Sequence, residues 1–487
     1  MTEKVKATPT GTERVRVLLN DKAWARWTAL ILIASMMFFA YMFVDVMSPL
    51  QSLLETDLGW SPEAFGNYAG AEYMLNVFGF LILAGIILDK MGVRFTGTLS
   101  ASLMVGGAVI KLYAISPLFI GSGFDQWLSS WWTAMPGSAK LAALGFMIFG
   151  CGCEMAGITV SKAIARWFEG KEMALAMGCE MALARLGVFA VLSLSPRLST
   201  WLGGDPSVVV PVAFCTALLL IGLICFIVFT FMDSRLDRES GTGSAAADPE
   251  EEFRLSDVGG LFSSKLFWII ALLCVLYYSA IFPFQRFGTN MLQCNLGIDE
   301  TAAADILRWF PIGALILTPP LGYFLDKFGK GATMLILGSL LLIGCHLIFA
   351  LVLPSAQSKA LALVTILVLG VSFALVPAAL WPSVPKVMDK RFLGSAYSLI
   401  FWVQNIGLFG VPILFGKVLA AGNQGVTNPL DYDYTNPELM FAGFGVLALI
   451  FALWLKLLDK RNNYGLEAPN IKDNVMADEA QIQEGDA

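Results

Sequence analysis

Glu154 and Arg185 are the side chains of this sequence best placed for chemistry. Each sits near the middle of an otherwise apolar run, 145–163 and 172–196, built mainly from Leu, Ala, Met, Val and Gly. Read as helices rising ~1.5 Å per residue, these runs carry both charges about halfway through a hydrocarbon layer ~30 Å thick. A charge at that depth costs about 3 kcal/mol or more, so it must face a cavity or a partner and not lipid. The short connection 166–171 makes the two helices antiparallel neighbours. A carboxylate beside a guanidinium could then hold a small zwitterion by its two ends. The competing assignment is a buried structural ion pair.

The elements that must carry these charges follow from composition. Of 487 residues, 57% are hydrophobic and 14% charged. Apolar segments near the length of a membrane span recur at 27–50, 64–88, 95–115, 139–163, 172–196 and 208–232, and again at 266–289, 301–325, 331–352, 357–382, 393–418 and 437–458. Between the two sets lies a polar, acidic linker, 233–264, with the run Gly241–Ala247 followed by Asp248–Glu252. The expected fold is therefore an all-α membrane protein of twelve transmembrane helices in two pseudo-symmetric six-helix halves, 27–232 and 265–461. A basic N-terminal tail (1–26) and an acidic C-terminal tail (462–487) flank them, both expected to be disordered.

Lysines and arginines, among them Lys90, Arg94, Arg166, Lys171, Lys327, Lys330, Lys386 and Lys460, fall on the side of the N-terminus, whereas 51–62 has none and 429–438 is acidic. The positive-inside rule puts both termini and the linker in the cytoplasm. The loop 116–138, with Trp127, Trp131 and Trp132, suits the opposite headgroup region. The eight cysteines lie almost all in apolar segments, with Cys294 expected in an outer loop, so no disulfide framework is implied. The single histidine, His346, sits in an apolar run and leaves little room for a histidine relay. The polar N-terminus gives no cleavable signal peptide, and no nucleotide-binding loop, metal cluster or nucleophile triad points to an enzyme, a metal or a cofactor.

The two halves carry an internal repeat. Gly85-Ile-Ile-Leu-Asp89-Lys90-Met-Gly92-Val-Arg94 follows the second span, and Gly322-Tyr-Phe-Leu-Asp326-Lys327-Phe-Gly329-Lys330 follows the eighth. Glycines permit tight helix-to-loop turns, and an aspartate can sit against the positive N-terminal end of a neighbouring helix. A contact of that kind can form in one conformation and break in another, which assigns these residues to gating.

This doubled pattern resembles the cytoplasmic signature of the major facilitator superfamily, and the resemblance covers 27–460. It implies two six-helix halves around a central cavity, worked by alternating access. Within that superfamily the chain resembles the lysosomal dipeptide uniporter branch, through Asp45 with Leu50-Gln51, Trp167-Phe168-Glu169-Gly170-Lys171-Glu172 with Ala184-Arg185, Tyr277-Tyr278 with Phe282-Pro283-Phe284, Leu380-Trp381-Pro382, and Leu393-Gly394 with Ala396-Tyr397 and Gln404-Asn405. The resemblance implies that Glu154 and Arg185 hold the amino and carboxyl ends of a peptide. Asp45, Tyr277, Tyr278, Trp381, Tyr397, Gln404 and Asn405 are then candidate cavity-lining groups, with the Gln404-Asn405 amides the strongest of them.

Glu72 and Glu180 are candidate proton carriers, although a glutamate paired with an arginine or lysine is the commoner outcome. Asp305 and Arg308, three apart on one helix, are expected to neutralise one another. The expected function is transport of a small zwitterion, a dipeptide foremost. The alternative is an organic anion clamped by Arg185 and Arg308, with proton coupling open in either case. A non-transporting receptor is the rival of a different class, and retention of both Asp89 and Asp326 weighs against it. The expected partners are a small-molecule substrate, the lipid bilayer and an accessory membrane protein, with no nucleic acid. The expected residence is a bacterial inner membrane, supported by the absence of any Asn-x-Ser/Thr sequon, with the lysosomal membrane as the alternative.

Overall fold

A computed structural model describes residues 18–240, 255–389 and 393–469. The whole linker run 241–252, residues 1–17 and the tail beyond 469 lie outside the described residues. The long helices are α1 (Ala23–Asp45), α2 (Pro62–Val77), α3 (Phe80–Ala114), α4 (Gly137–Trp167), α5 (Met173–Ser199), α6 (Val209–Ser240), α7 (Lys265–Leu296), α8 (Trp309–Phe328), α9 (Gly331–Leu347), α10 (Lys359–Val387), α11 (Leu393–Gly422) and α12 (Thr435–Asn462). In hydrocarbon every backbone N–H and C=O must bond within its own segment, so continuous apolar runs fold as helices.

By length and apolarity, ten of the described helical segments can each span a membrane, and the pair Pro62–Val77 with Phe80–Ala114, bent by 52°, supplies one more. The expected segments 64–88 and 95–115 share that bent pair. Its first bend is at Gly79 (φ 96°), and α3 is itself broken at Gly92 (φ 75°, ψ 173°), inside the first repeat motif. A side chain is strained at such positive φ, which explains the glycine of the motif there.

Several boundaries differ from the sequence reading. α10 runs on through Pro382 and Pro385 to Val387, because neighbouring helices in a membrane bundle satisfy the carbonyls that proline frees. α7 extends to Leu296, so Cys294 lies in its last turn and not in a loop. The eighth segment is interrupted at Arg308 between Glu300–Leu307 and α8. The linker begins as the end of α6 and ends as the helix Leu255–Phe262. Part of the expected disordered tail is packed: Leu466 is buried, and its carbonyl and that of Glu467 accept from the backbone N–H groups of Gly331 and Lys330.

Small residues set helix spacing. A Cβ on Gly107 of α3 would lie 2.4 Å from the Gly145 carbonyl of α4, and one on Gly150 would lie 2.0 Å from the Glu72 carbonyl of α2. Close backbone approach of this kind replaces the hydrophobic drive that lipid does not supply. The same device joins the halves. A Cβ on Gly66 or Gly70 of α2 would meet the Pro412 or Phe409 carbonyl of α11 at 2.4 Å, and one on Gly416 would meet the Pro62 carbonyl at 2.3 Å.

Candidate functional site

We call the face carrying the N-terminus and the lysine- and arginine-rich turns the basic face, and the other the distal face. Two groups of charges lie between them.

The first group is Glu154 on α4 with Glu180 and Arg185 on α5. All three are half-buried and, among the described residues, none has an ion-pair or hydrogen-bond partner. All three act electrostatically on Tyr41 of α1, and α4 and α5 each pack against α1 more than against one another, so the side-by-side packing expected from their short connection is not formed. Arg185 reaches toward the other half, with its guanidinium carbon 5.0 Å from the Phe373 ring centre and 6.0 Å from that of Phe282. Aromatic faces hold a cation without consuming its N–H donors, so those donors stay available. A structural ion pair between Glu154 and Arg185 is not formed.

The aromatic wall opposite Arg185 is continuous. Tyr278 stacks on Phe282 with ring centres 5.7 Å apart. Its hydroxyl accepts from the Trp381 indole N–H at 3.3 Å. Trp381 stacks on Phe401 at 4.6 Å, and its carbonyl accepts from the Tyr397 hydroxyl at 3.2 Å. Tyr278, Trp381 and Tyr397 therefore form one connected group.

Tyr277 does not join them. It is fully buried, hydrogen-bonded at 2.7 Å to Ser372 of α10, which in turn donates to the Gly338 carbonyl of α9. One residue along a helix is a turn of about 100°, and that takes Tyr277 into the interior of its own half. Gln404 and Asn405 are also more committed than their mid-helix position suggests. The Gln404 Oε1 faces the Cys274 thiol at 3.4 Å, and the Asn405 amide donates to the Phe401 carbonyl one turn back at 2.9 Å. The Asn405 Oδ1 is buried without a partner.

The second group closes the distal side. Arg286 of α7 lies 3.1 Å from Asp45 of α1 and 2.5 Å from Glu72 of α2, and all three are buried. Arg286 also donates to the Val44 carbonyl, Gln285 donates to Asp45 at 2.6 Å, and the Ser48 hydroxyl donates to it at 3.0 Å. Asp45 and Glu72, read from the sequence as a cavity residue and a proton carrier, are here the two anions of a cross-half lock. Further contacts between the halves lie around it: Ser52 with Gln293 at 3.4 Å, Tyr432 with Glu55 at 2.5 Å, Lys417 with Glu63 at 3.9 Å, and Arg197 with Asp305 at 2.6 Å. Asp305 also pairs with Arg308 at 3.0 Å, as their spacing suggested, and Arg308 donates to Ser193 at 2.7 Å. The described conformation is thus sealed on the distal face.

On the basic face, the first repeat motif is tied within its own half. Asp89 pairs with Lys162 of α4 at 2.7 Å, where a helix N-terminus was expected, and Arg94 pairs with Asp237 at 2.7 Å. Arg166 adds a 3.0 Å pair to Asp233. Lys90 is exposed, and Gly85 and Gly322 have no neighbour that a Cβ would meet within 4 Å. In the second copy, Gly329 (φ 72°) is covered by the Glu467 carbonyl, and the Lys327 ammonium lies over the Tyr323 and Phe328 rings. Asp326 is held within the structure as well.

Sequence reading missed Arg286, Lys111 and Glu438. The first two are full charges inside the expected spans 266–289 and 95–115, so the test that singled out Glu154 would have found them. Glu438 pairs with His346 at 2.7 Å, both fully buried, which makes the lone histidine a structural link between α9 and α12.

Comparison with known proteins agrees with this architecture. The model of the Major Facilitator Superfamily matches residues 31–412 and 287–470. The chain is 28% identical over 456 residues to the lysosomal dipeptide transporter MFSD1 of Danio rerio, covering 91% of this chain and 88% of that one. It is 25% identical over 410 residues to the protein of the same name from Homo sapiens, covering 81% and 80%. Among solved structures, the nucleoside transporter NupG superimposes with a TM-score of 0.63 at 14% identity, covering 88% of this chain and 98% of that one.

Proposed function

The chain belongs to the major facilitator superfamily, and from that premise we propose that it moves dipeptides across its membrane by alternating access. Glu154 receives the peptide's ammonium, Arg185 its carboxylate, and the Tyr278–Trp381–Tyr397 wall the chain between them. The observation that carries this reading is that both charges are half-buried yet without an ion-pair partner among the described residues, and that Arg185 reaches the aromatic wall of the other half. Buried charges are ordinarily paired, so an unspent anion and an unspent cation on two helices that both pack against α1 point to a ligand bearing both signs. Glu180, on the same helix as Arg185, adds a second acceptor for a cationic side chain or a proton. The names of the relatives, dipeptide transporters of lysosomes, support the substrate class. They also favour a lysosomal membrane over a bacterial inner membrane, with the basic face cytoplasmic. The anion alternative is weakened because Arg308 is already engaged by Asp305 and Ser193.

The test is thermal stabilisation of the purified protein by free dipeptides, N-acetylated dipeptides and dicarboxylates, in wild type, Glu154→Gln and Arg185→Ala. Hydrogen bonds to charged groups contribute roughly 1.5–3 kcal/mol, so each substitution should weaken dipeptide binding about 10- to 100-fold. N-acetylation should weaken wild-type binding and leave Glu154→Gln indifferent. Stabilisation by dicarboxylates that survives in Glu154→Gln, with none by dipeptides, would overturn the reading.

A further inference from the structure

Lys111 of α3 is wholly buried, and its ammonium has no hydrogen-bond partner among the described residues. It is held by three aromatic rings, with centres at 4.1 Å (Phe43), 4.5 Å (Phe146) and 5.2 Å (Tyr68). Such a cage contributes about 2 kcal/mol when desolvated, less than the several kcal/mol that burying an ammonium costs. A further attraction is needed, and the cage walls show its source. Phe43 lies two residues before Asp45 on α1. Tyr68 lies one turn before Glu72 on the same face of α2. Phe146 carries Arg286 as well, with the guanidinium carbon 5.4 Å from its centre. When both are ionised, Asp45 and Glu72 carry two negative charges against the single positive charge of Arg286, and a protonated Lys111 is the cation that can balance the second. While the gate is shut the Arg286 guanidinium repels the Lys111 ammonium, and the Cys215 thiol of α6 also faces it.

We infer that Lys111 is the exchange partner of Arg286: parked in its aromatic cage while the distal gate is shut, it swings onto Asp45 and Glu72 when the gate opens. The inference rests on the alternating-access reading. Asp45, Glu72 and Lys111 all belong to the first half and Arg286 to the second, so separation of the halves removes Arg286 and leaves Lys111 as the only cation within reach among the described residues. Its four-carbon stem allows the ammonium to cross the short span from Tyr68 to Glu72. Lys111 is thereby a positioning residue of the gate and does not contact substrate.

The experiment is crosslinking of Glu63→Cys with Lys417→Cys, which face each other across the distal rim, by a short bifunctional thiol reagent, alongside dipeptide transport in proteoliposomes. In a Lys111→Met background the open state loses its counter-cation. Crosslinking should then rise severalfold and transport should fall at least tenfold, with the melting temperature little changed because Met fills the same apolar volume. Adding Glu72→Gln removes the anion left bare, and should bring crosslinking back toward the parent value. That double variant also keeps the test decisive if Lys111→Met alone does not fold. Parent-like crosslinking and transport in Lys111→Met would overturn the inference, as would slow transport with unchanged crosslinking. Arg286→Met serves as the control: if it too leaves crosslinking unchanged, it is the alternating-access reading that fails, whereas a response to Arg286→Met alone refutes only the exchange.

Discussion

Arg286→Met should unlock the distal face. Arg286 contacts two buried carboxylates at 3.1 and 2.5 Å. At an effective dielectric constant of about 20, a unit pair near 3 Å is worth roughly 5 kcal/mol in Coulomb attraction. Mutual repulsion of Asp45 and Glu72 and desolvation of all three groups offset part of this. The measured cost of removing one partner from a buried pair, about 3–5 kcal/mol, is therefore the better guide. Most of that cost falls on the closed state, because opening lets water reach the acids. At ~1.4 kcal/mol per factor of ten, the closed-to-open ratio should fall by roughly two to three powers of ten. The assay uses Ser52→Cys, whose side chain is buried at the gate beside Gln293, labelled by a membrane-impermeant maleimide from the distal side. Labelling should be about a hundredfold faster with Arg286→Met than without it. Arg286→Lys should fall between, since an ammonium cannot bond both acids with the fork of a guanidinium. Equal labelling rates with and without Arg286→Met would refute the lock.

The glycine seam and the basic face supply further tests. Gly66→Val places a side chain where a Cβ already meets the Pro412 carbonyl at 2.4 Å. Overpacking costs about 1–3 kcal/mol, so the distal crosslink should fall roughly 5- to 100-fold, and an unchanged crosslink would count against the seam as a closing surface. At the basic face, the Lys171 hydrogen bond and then the Leu18 N–H hold the Asp21 carboxyl below its ordinary value, and the Arg26 hydrogen bond holds Glu172 down likewise. Because both folded-state values are depressed, the stabilisation is present above the ordinary carboxylate range of about 4 and is lost only as pH falls through the lowered values. Hydrogen exchange of residues 18–26, corrected for intrinsic rate, should thus be flat from pH 8 to pH 5 and rise in stronger acid. Loss of protection between pH 7 and pH 5 would show that these pairs do not hold the segment.

The helical membrane class is legible in the chain alone, because runs of apolar residues of spanning length admit little else in hydrocarbon. So is the cost of the charges at Glu154, Arg185 and Glu180, and the self-neutralising pair of Asp305 with Arg308, since depth and i,i+3 spacing are read along one helix. The repeat around Asp89 and Asp326 is legible for the same reason. What each charge meets is a property of the assembled bundle. Asp45 and Glu72 find Arg286 more than 200 residues away, and no local pattern encodes that pairing. Tyr277 and Tyr278, adjacent in sequence, part company because lipid and protein interior are both apolar, so hydrophobic periodicity does not reveal which side of a membrane helix faces the cavity. The rotation of a helix about its axis is set by its tertiary packing, including close glycine contacts such as Gly66 with Pro412 and Gly150 with Glu72. That rotation is what left Glu154 and Arg185 without partners while burying Asp45 and Glu72 against theirs.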